Sequence, residues 1–380
     1  MKHRICILAD YPAWLLPEMD HLPSRTSHAT WLHMLRPYYE AITDEYEIHW
    51  IVMTKGIDAP VELLVDNQVF HLLPRKRHIV AMLTAYLFES SQIRRLLADL
   101  HPSLIHAWGT EDAYALTVAR IKEWKSLFSI QGCITEWLRT GSSGILPRLL
   151  GYYERYAVRR INDATGESER AVNNLLAINA DLRVHIVEYG VSEVFHTVKR
   201  NLSQSPCICF VGSVARAKGI FELIEVMSRP SLSGINLVIL GCGADQERLH
   251  HIASPNVTFF GHATRQQVLD TFSTTWALAI PTHCDTGPTV VKEARAAGVP
   301  VITTTAAGAA RYVEEGLSGY VISRGDTDAL EKSILSICES RDKAIAMGKH
   351  DLQANHLRLS GKKTVENFLE IYRSIIDGIN

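Results

Sequence analysis

Asp285-Thr-Gly-Pro-Thr-Val-Val-Lys-Glu293, followed by Ala294-Arg-Ala-Ala-Gly-Val-Pro-Val-Ile302, decides how this chain is read. Asp285 and Glu293 stand eight positions apart, with Gly287 and Pro288 between them. The Gly-Pro pair opens a helix near Thr289, since proline has no N–H to lose in a first helical turn. The free amides of that turn, with the helix dipole, make a place for a phosphate. Glu293 then lies about one turn inside the helix, and Asp285 precedes its start. One ligand can meet an anion-binding helix end and two acids that accept hydroxyl donors. A sugar nucleotide carries those complementary groups.

Working outward, short apolar runs alternate with helical patterns throughout. In the first half the strand candidates are Arg4–Ala9, Glu47–Met53, Val69–Leu73, Leu104–Ala107, Leu127–Ile130, Asp163–Gly166 and Val184–Glu188. The second half continues with Cys207–Gly212, Asn236–Leu240, Val257–Phe260, Ala277–Pro281, Val301–Thr304 and Gly319–Ile322. Many are β-branched and apolar on both faces, as strands covered on both sides are. The alternation predicts an α/β fold, and two series of it predict two such domains. The seam is expected near Tyr189–Phe195 and the polar stretch Lys199–Pro206, giving domains 1–196 and 197–362. Lys363–Ile376 is a helix by the spacing of Val365, Phe368, Leu369, Tyr372 and Ile376, able to pack on either domain.

The bulk properties agree with this. A chain of 380 residues has room for two cores, and 47% hydrophobic with 21% charged residues is ordinary for a globular protein. A formal net charge of −2 gives no footing for a nucleic-acid surface. Asp10 and Pro12 break the first apolar run too early for a signal peptide, and no run nears the roughly 18 residues that span a bilayer. A cytoplasmic location with seven reduced cysteines is therefore expected. Cys207 and Cys209 read as small buried hydrophobes in a strand. Asp326 and Asp328 read as the N-terminus of a helix, so no metal is expected.

A second phosphate signal is Phe210-Val-Gly-Ser-Val-Ala-Arg-Ala-Lys-Gly219. A strand ends at Gly212, Ser213 begins a loop, and Lys218 sits just before the next helix, where its ammonium and the helix start can grip a diphosphate. Gly241-Cys-Gly243 is a turn after a strand that can line a base pocket. In the first half His106, Glu111 and Asp112, then Gln131, follow strands and offer polar groups to an acceptor, although a lone His there is as often a structural hydrogen-bonding group. His28 lies in a stretch, Ser24–Thr30, that helix capping already explains. Arg75-Lys-Arg-His78 precedes an apolar stripe of Ile79, Met82, Leu83, Tyr86 and Leu87. The stripe reads as a core-facing helix with a solvated basic start, the alternative being peripheral contact with the inner face of a membrane.

From Cys207 to Ile337 the chain resembles the nucleotide-sugar domain of glycosyltransferase family 4, retaining enzymes of the GT-B fold. The order of Gly212–Gly219, Leu237–Gly243, Val257–Gly261 and Asp285–Ile302 carries the resemblance; His106–Asp112 and Tyr189–Phe195 look like its first-half counterparts. It implies two doubly wound Rossmann-like domains facing across a cleft, with the last helix crossing back, so that 363–380 joins 1–196. It also implies transfer of a sugar from a nucleoside diphosphate to a hydroxyl acceptor (a glycan, a lipid-linked sugar or a small molecule) without metal. By that resemblance Lys218 holds the diphosphate, and backbone amides within Gly287 to Val290 frame its distal phosphate, with Pro288 and Thr289 forming the helix start there. Asp285 meets sugar hydroxyls and Glu293 the ribose. Ser213 stands where the family has arginine, leaving Arg216 as the nearest replacement; Gln131 stands where it has histidine; and its glycine pair is absent from Pro12–Thr30. The catalytic set expected is thus Asp285, Lys218, Arg216 and Gln131. An epimerase or phosphorylase on the same fold, or a non-catalytic subunit, is the alternative.

Overall fold

The computed structural model describes residues 2–22, 30–139, 144–285 and 287–378; His28 and Thr286 lie outside the described residues. The chain forms two compact units, Met1–Tyr189 with Gly361–Asn380, and Gly190–Ser360. The division falls ahead of residue 196 because Val191 and Phe195 pack in the second unit's core.

The first unit holds strands β1 (His3–Leu8), β2 (Tyr46–Thr54), β3 (Val61–Val65), β4 (Gln68–Pro74), β5 (Leu104–Trp108), β6 (Ser126–Ser129), β7 (Asp163–Gly166) and β8 (Arg183–Ile186). They form one sheet in the order β3-β4-β2-β1-β5-β6-β7-β8. All neighbours are parallel except β3 and β4. The antiparallel edge strand β3 is missing from the sequence reading. Its signal was present: Asp66 and Asn67 take φ 50° and 57°, the left-handed pair that a two-residue hairpin needs, and Val65 then faces Gln68.

The second unit holds β9 (Cys207–Val211), β10 (Asn236–Leu240), β11 (Val257–Gly261), β12 (Ala277–Ile280), β13 (Val301–Thr304) and β14 (Gly319–Ile322), in the order β11-β10-β9-β12-β13-β14. Every neighbouring pair is parallel. Its core joins Ile208, Phe210, Leu237, Ile239, Leu278, Val301 and Ile302 to the helices on both faces.

The last helix, Gly361–Asp377, belongs to the first unit. Val365, Phe368, Leu369 and Tyr372 enter the core beside Ile5, Ile7 and Trp108. A buried polar chain fixes its seat. Tyr39 Oη lies 3.1 Å from Tyr372 Oη, which lies 2.5 Å from His106 Nδ1. His106 Nε2 is 2.7 Å from Ser129 Oγ, and that hydroxyl reaches Thr165 Oγ1. His106 is fully buried, and desolvation pushes its imidazole down to about 3, so the ring stays neutral. This corrects the expectation that His106 contacts an acceptor: both ring nitrogens are spent inside the unit.

The stripe after Arg75–His78 also departs from expectation. The helix His78–Leu83 buries Ala81 and Met82, and Tyr86 is buried beyond it. Ile79, Leu83 and Leu87 are instead 56%, 64% and 61% exposed. The core takes one narrow edge of the helix and leaves the rest of the apolar surface outside.

His106→Ala takes one hydrogen bond from each of the Tyr372 and Ser129 hydroxyls and breaks the buried polar chain, and leaving a buried polar group short of a partner costs about 1–3 kcal/mol. Urea unfolding followed by circular dichroism should show a loss of that order or more. An unchanged midpoint would remove the polar chain from the account of how the last helix is held.

Candidate active site

In the second unit β9 and β12 are sheet neighbours, with Ile208 opposite Ala277 and Cys209 opposite Leu278. Crossovers run outward from this pair in opposite directions, so the loops leaving the carboxyl ends of β9 and β12 flank a crevice. Open parallel sheets bind ligands at such a reversal. The first loop carries Gly212, Ser213, Arg216 and Lys218; the second carries Asp285, Gly287 and Pro288.

Backbone contacts lock the two loops together. The Ala217 carbonyl accepts from the His283 N–H at 2.8 Å and from Thr282 Oγ1 at 3.0 Å. Gly219 takes φ 71°, and a Cβ there would strike the carbonyl oxygen of Pro281. Glycine is required both by the left-handed backbone and by the close approach. Outside this contact, His283 Nε2 lies 2.9 Å from Glu222 Oε1, tying the second loop to the helix Ile220–Met227.

This docking brings Lys218 Nζ into an ion pair with Asp285 Oδ2. The other carboxylate oxygen of Asp285 accepts from the Gly287 N–H at 3.1 Å. Immediately beyond, the helix Thr289–Ala296 starts after Pro288 with no side-chain cap among the described residues. Its first amides therefore stay available to a ligand. One turn in stands the half-buried Glu293. Burial pushes its carboxyl up to about 7, against the opposing pull of Arg265 and Lys292.

The remaining donor-side residues divide. Ser213 is exposed in the first loop. Gly243 sits where a Cβ would strike the Val214 carbonyl, so its first duty is to let the loops after β9 and β10 touch. The Arg216 guanidinium lies 4.3 Å above the Phe221 ring, and its backbone N–H donates to Asp245 Oδ2 at 3.0 Å. The guanidinium thus rests on an aromatic face and is not part of the Lys218–Asp285 pair. Asp326 accepts from the Ala329 N–H at 2.9 Å, as a helix cap does, while Asp328 pairs with Arg229. Among the described residues one metal-ligand-like group occurs, Glu314, His350 and Asp351, and none of the three is on these loops.

In the first unit the loops after β5 and β6 are organised by a residue the sequence reading missed. Glu154 is fully buried on the helix Ile145–Val158. It accepts from Thr110 Oγ1 at 2.8 Å, the Ile134 N–H at 2.9 Å, the Thr135 N–H at 2.8 Å and Thr135 Oγ1 at 2.6 Å. A carboxylate with that many donors sits buried at little cost. No local pattern marks it, because all its partners come from other elements. Between the two loops it holds, Glu111 and Gln131 come together. A Cβ at Gly109 would lie 2.6 Å from Glu111 Oε2 and 3.5 Å from Gln131 Oε1.

Comparison with known proteins places this geometry. Residues 192–352 match the family model described as glycosyl transferases group 1. The capsular polysaccharide biosynthesis glycosyltransferase CapM of Staphylococcus aureus is 22% identical over 330 residues, covering 80% of this chain and 81% of CapM. A D-inositol 3-phosphate glycosyltransferase of Corynebacterium urealyticum is 28% identical over 182 residues, 44% of this chain and 43% of that protein. The chain thus spans less than half of this second relative. Among solved structures, sucrose-phosphate synthase from Thermosynechococcus elongatus superposes with TM-score 0.79 at 14% identity, covering 99% of this chain and 100% of that one. Anabaena HepE in complex with UDP-glucose gives TM-score 0.72 at 14% identity, covering 98% and 99%. With the GT-B fold along its length and a group 1 glycosyl transferase domain over 192–352, the chain is a glycosyltransferase.

Proposed function

We propose that the enzyme moves a sugar from a nucleoside diphosphate to a hydroxyl acceptor, with retention at the anomeric carbon and without metal, as family 4 enzymes do. The observation that carries this reading is the Lys218–Asp285 pair set beside the uncapped start of the helix Thr289–Ala296. Lys218 and the free amides of Thr289 and Val290 at the helix start grip the diphosphate, and Glu293 accepts from the ribose hydroxyls. The glycosidic C–O bond breaks, the acceptor hydroxyl bonds to the same face, and its proton passes to the departing phosphate oxygen. Charge that grows on the phosphate falls to one ammonium and a helix dipole, which need not reorganise during the reaction. The nucleotide class draws support from relatives: one from Corynebacterium glutamicum is named a GDP-mannose-dependent mannosyltransferase, and HepE was solved with UDP-glucose.

The ion pair shapes the binding step. Its side chains are 30% and 14% exposed, so the pair is partly shielded from water. A doubly charged diphosphate competes with the carboxylate for the Lys218 ammonium. Asp285 is then released to accept sugar hydroxyls.

We also propose that the first unit docks on an anionic membrane surface through the helix His78–Leu83. Lys55, Arg75, Lys76, Arg77 and His78 line a cavity of about 560 Å³ together with Ile79 and Val80. Basic groups around exposed Ile79, Leu83 and Leu87 match anionic headgroups and the acyl boundary beneath them. Among the described residues no helix is long and apolar enough to cross a membrane.

Lys218→Ala should lower transfer about 10²–10³-fold with an unchanged melting temperature, measured as nucleoside diphosphate release. Asp285→Asn should lower transfer as well, yet bind nucleoside diphosphate at least as tightly by calorimetry; weaker binding would sink the exchange. Parallel incubations with and without acceptor separate transfer from the epimerase and phosphorylase readings. Glu293 gives a pH signature. Its folded carboxyl titrates near 7 against an ordinary 4.5, so the folded state holds the extra proton and loses stability as pH rises between those values. Glu293→Gln should therefore raise the melting temperature at pH 8 and leave it unchanged at pH 4; an equal gain at both would remove the buried charge as its cause. For the membrane, cosedimentation with phosphatidylglycerol vesicles should exceed that with pure phosphatidylcholine and fall in Leu83→Ser/Leu87→Ser and in Lys76→Glu/Arg77→Glu. Equal binding to both vesicle types would overturn it.

A further inference from the structure

Trp137 is a feature that the transfer reading does not use. It lies on the short helix Ile134–Arg139, where Ile134, Thr135 and Glu136 are buried, yet the indole is 38% exposed. Its six-membered ring rests against the Cα of Gly132: a Cβ there would lie 2.5 Å and 2.7 Å from two of its ring carbons. The same point is 2.9 Å from Glu111 Oε1. Gly132 thus keeps indole and carboxylate side by side, and any other residue would push them apart.

The carboxylate is held as firmly as the ring. Glu111 Oε2 accepts from the Thr110 N–H at 2.9 Å. Burial, with Glu154 and Asp112 nearby, pushes its carboxyl up to about 7. Glu154 clamps the loops on both sides, through Thr110 on one and the Ile134 and Thr135 amides on the other. Gln131 adds an amide that both donates and accepts, near the same carboxylate.

We propose that this corner is the acceptor site and that the acceptor is a saccharide, its ring stacked on Trp137 and its hydroxyls on Glu111 and Gln131. The inference rests on the transferase reading for the word acceptor, but the binding chemistry stands alone. A pyranose offers an apolar face of C–H groups bordered by hydroxyls. An exposed indole beside a carboxylate and an amide is complementary to both parts. A bare lipid alcohol or a simple polyol supplies hydroxyls without the ring face.

Saturation-transfer difference NMR on the full chain tests it with methyl α-glucopyranoside, methyl α-galactopyranoside and methyl α-mannopyranoside, against glycerol as the ringless polyol. At least one glycoside should take up saturation at its ring C–H protons while glycerol does not. That signal should fall at least fivefold in Trp137→Ala and survive in Trp137→Phe. A parallel thermal-shift titration with UDP and GDP should be the same in wild type and Trp137→Ala, which shows that the variant is folded. Failure of both nucleotides to shift the wild type would count against the donor reading and leave the saccharide result to stand by itself. No saturation of any glycoside by wild type, equal saturation in Trp137→Ala, or glycerol binding as well as the glycosides would each overturn the proposal.

Discussion

The candidate site depends on one close approach between two backbones. Gly219 lies against the Pro281 carbonyl, with the Ala217 carbonyl taking two donors from the facing loop. Neither contact involves a charged group, yet together they set where two charged groups must meet. Once residues 216–219 and 281–285 are seated, Lys218 and Asp285 have little choice of partner. The order of cause runs from steric permission, through hydrogen bonding, to electrostatics. The ion pair is a consequence of the docking, not its source.

The first unit solves a similar problem by other means. Its loops after β5 and β6 are drawn together by the buried carboxylate of Glu154, which reaches from a third element. A side chain can be replaced in one mutational step, while a backbone approach is built into the strand spacing. The corner in the second unit is accordingly specified by the sheet, and the corner in the first unit by one residue and its donors.

Much of this was legible in the sequence, and the failures have physical reasons. The alternation of apolar runs with helical spacing gave the two sheets because central parallel strands carry their signal locally. The edge strand β3 escaped because half of its residues face water, and its hairpin signature at Asp66-Asn67 was passed over. The helix start after Pro288 was legible because the Gly-Pro pair marks it in short range. The partners of Arg216 and His106, Phe221 and Tyr372, are chosen by packing that no spacing rule contains. Glu154 was invisible for the same reason. The stripe from Ile79 to Leu87 shows the limit of periodicity: it reports an apolar face, not what covers it.

The polar chain through Tyr372 also sets a schedule for biosynthesis. The sheet of the first unit is complete in sequence by Ile186, but His106 meets the hydroxyl of Tyr372 only after the whole of Gly190–Ser360 has been made. Gly190–Ser360, by contrast, is one uninterrupted segment whose core draws on no described residue beyond it. The first unit must then wait, partly assembled, for a helix that follows the whole of Gly190–Ser360 in the chain. A chain released before residue 361 would carry a finished second unit and a first unit without its last helix, its His106 left with Ser129 as the remaining partner.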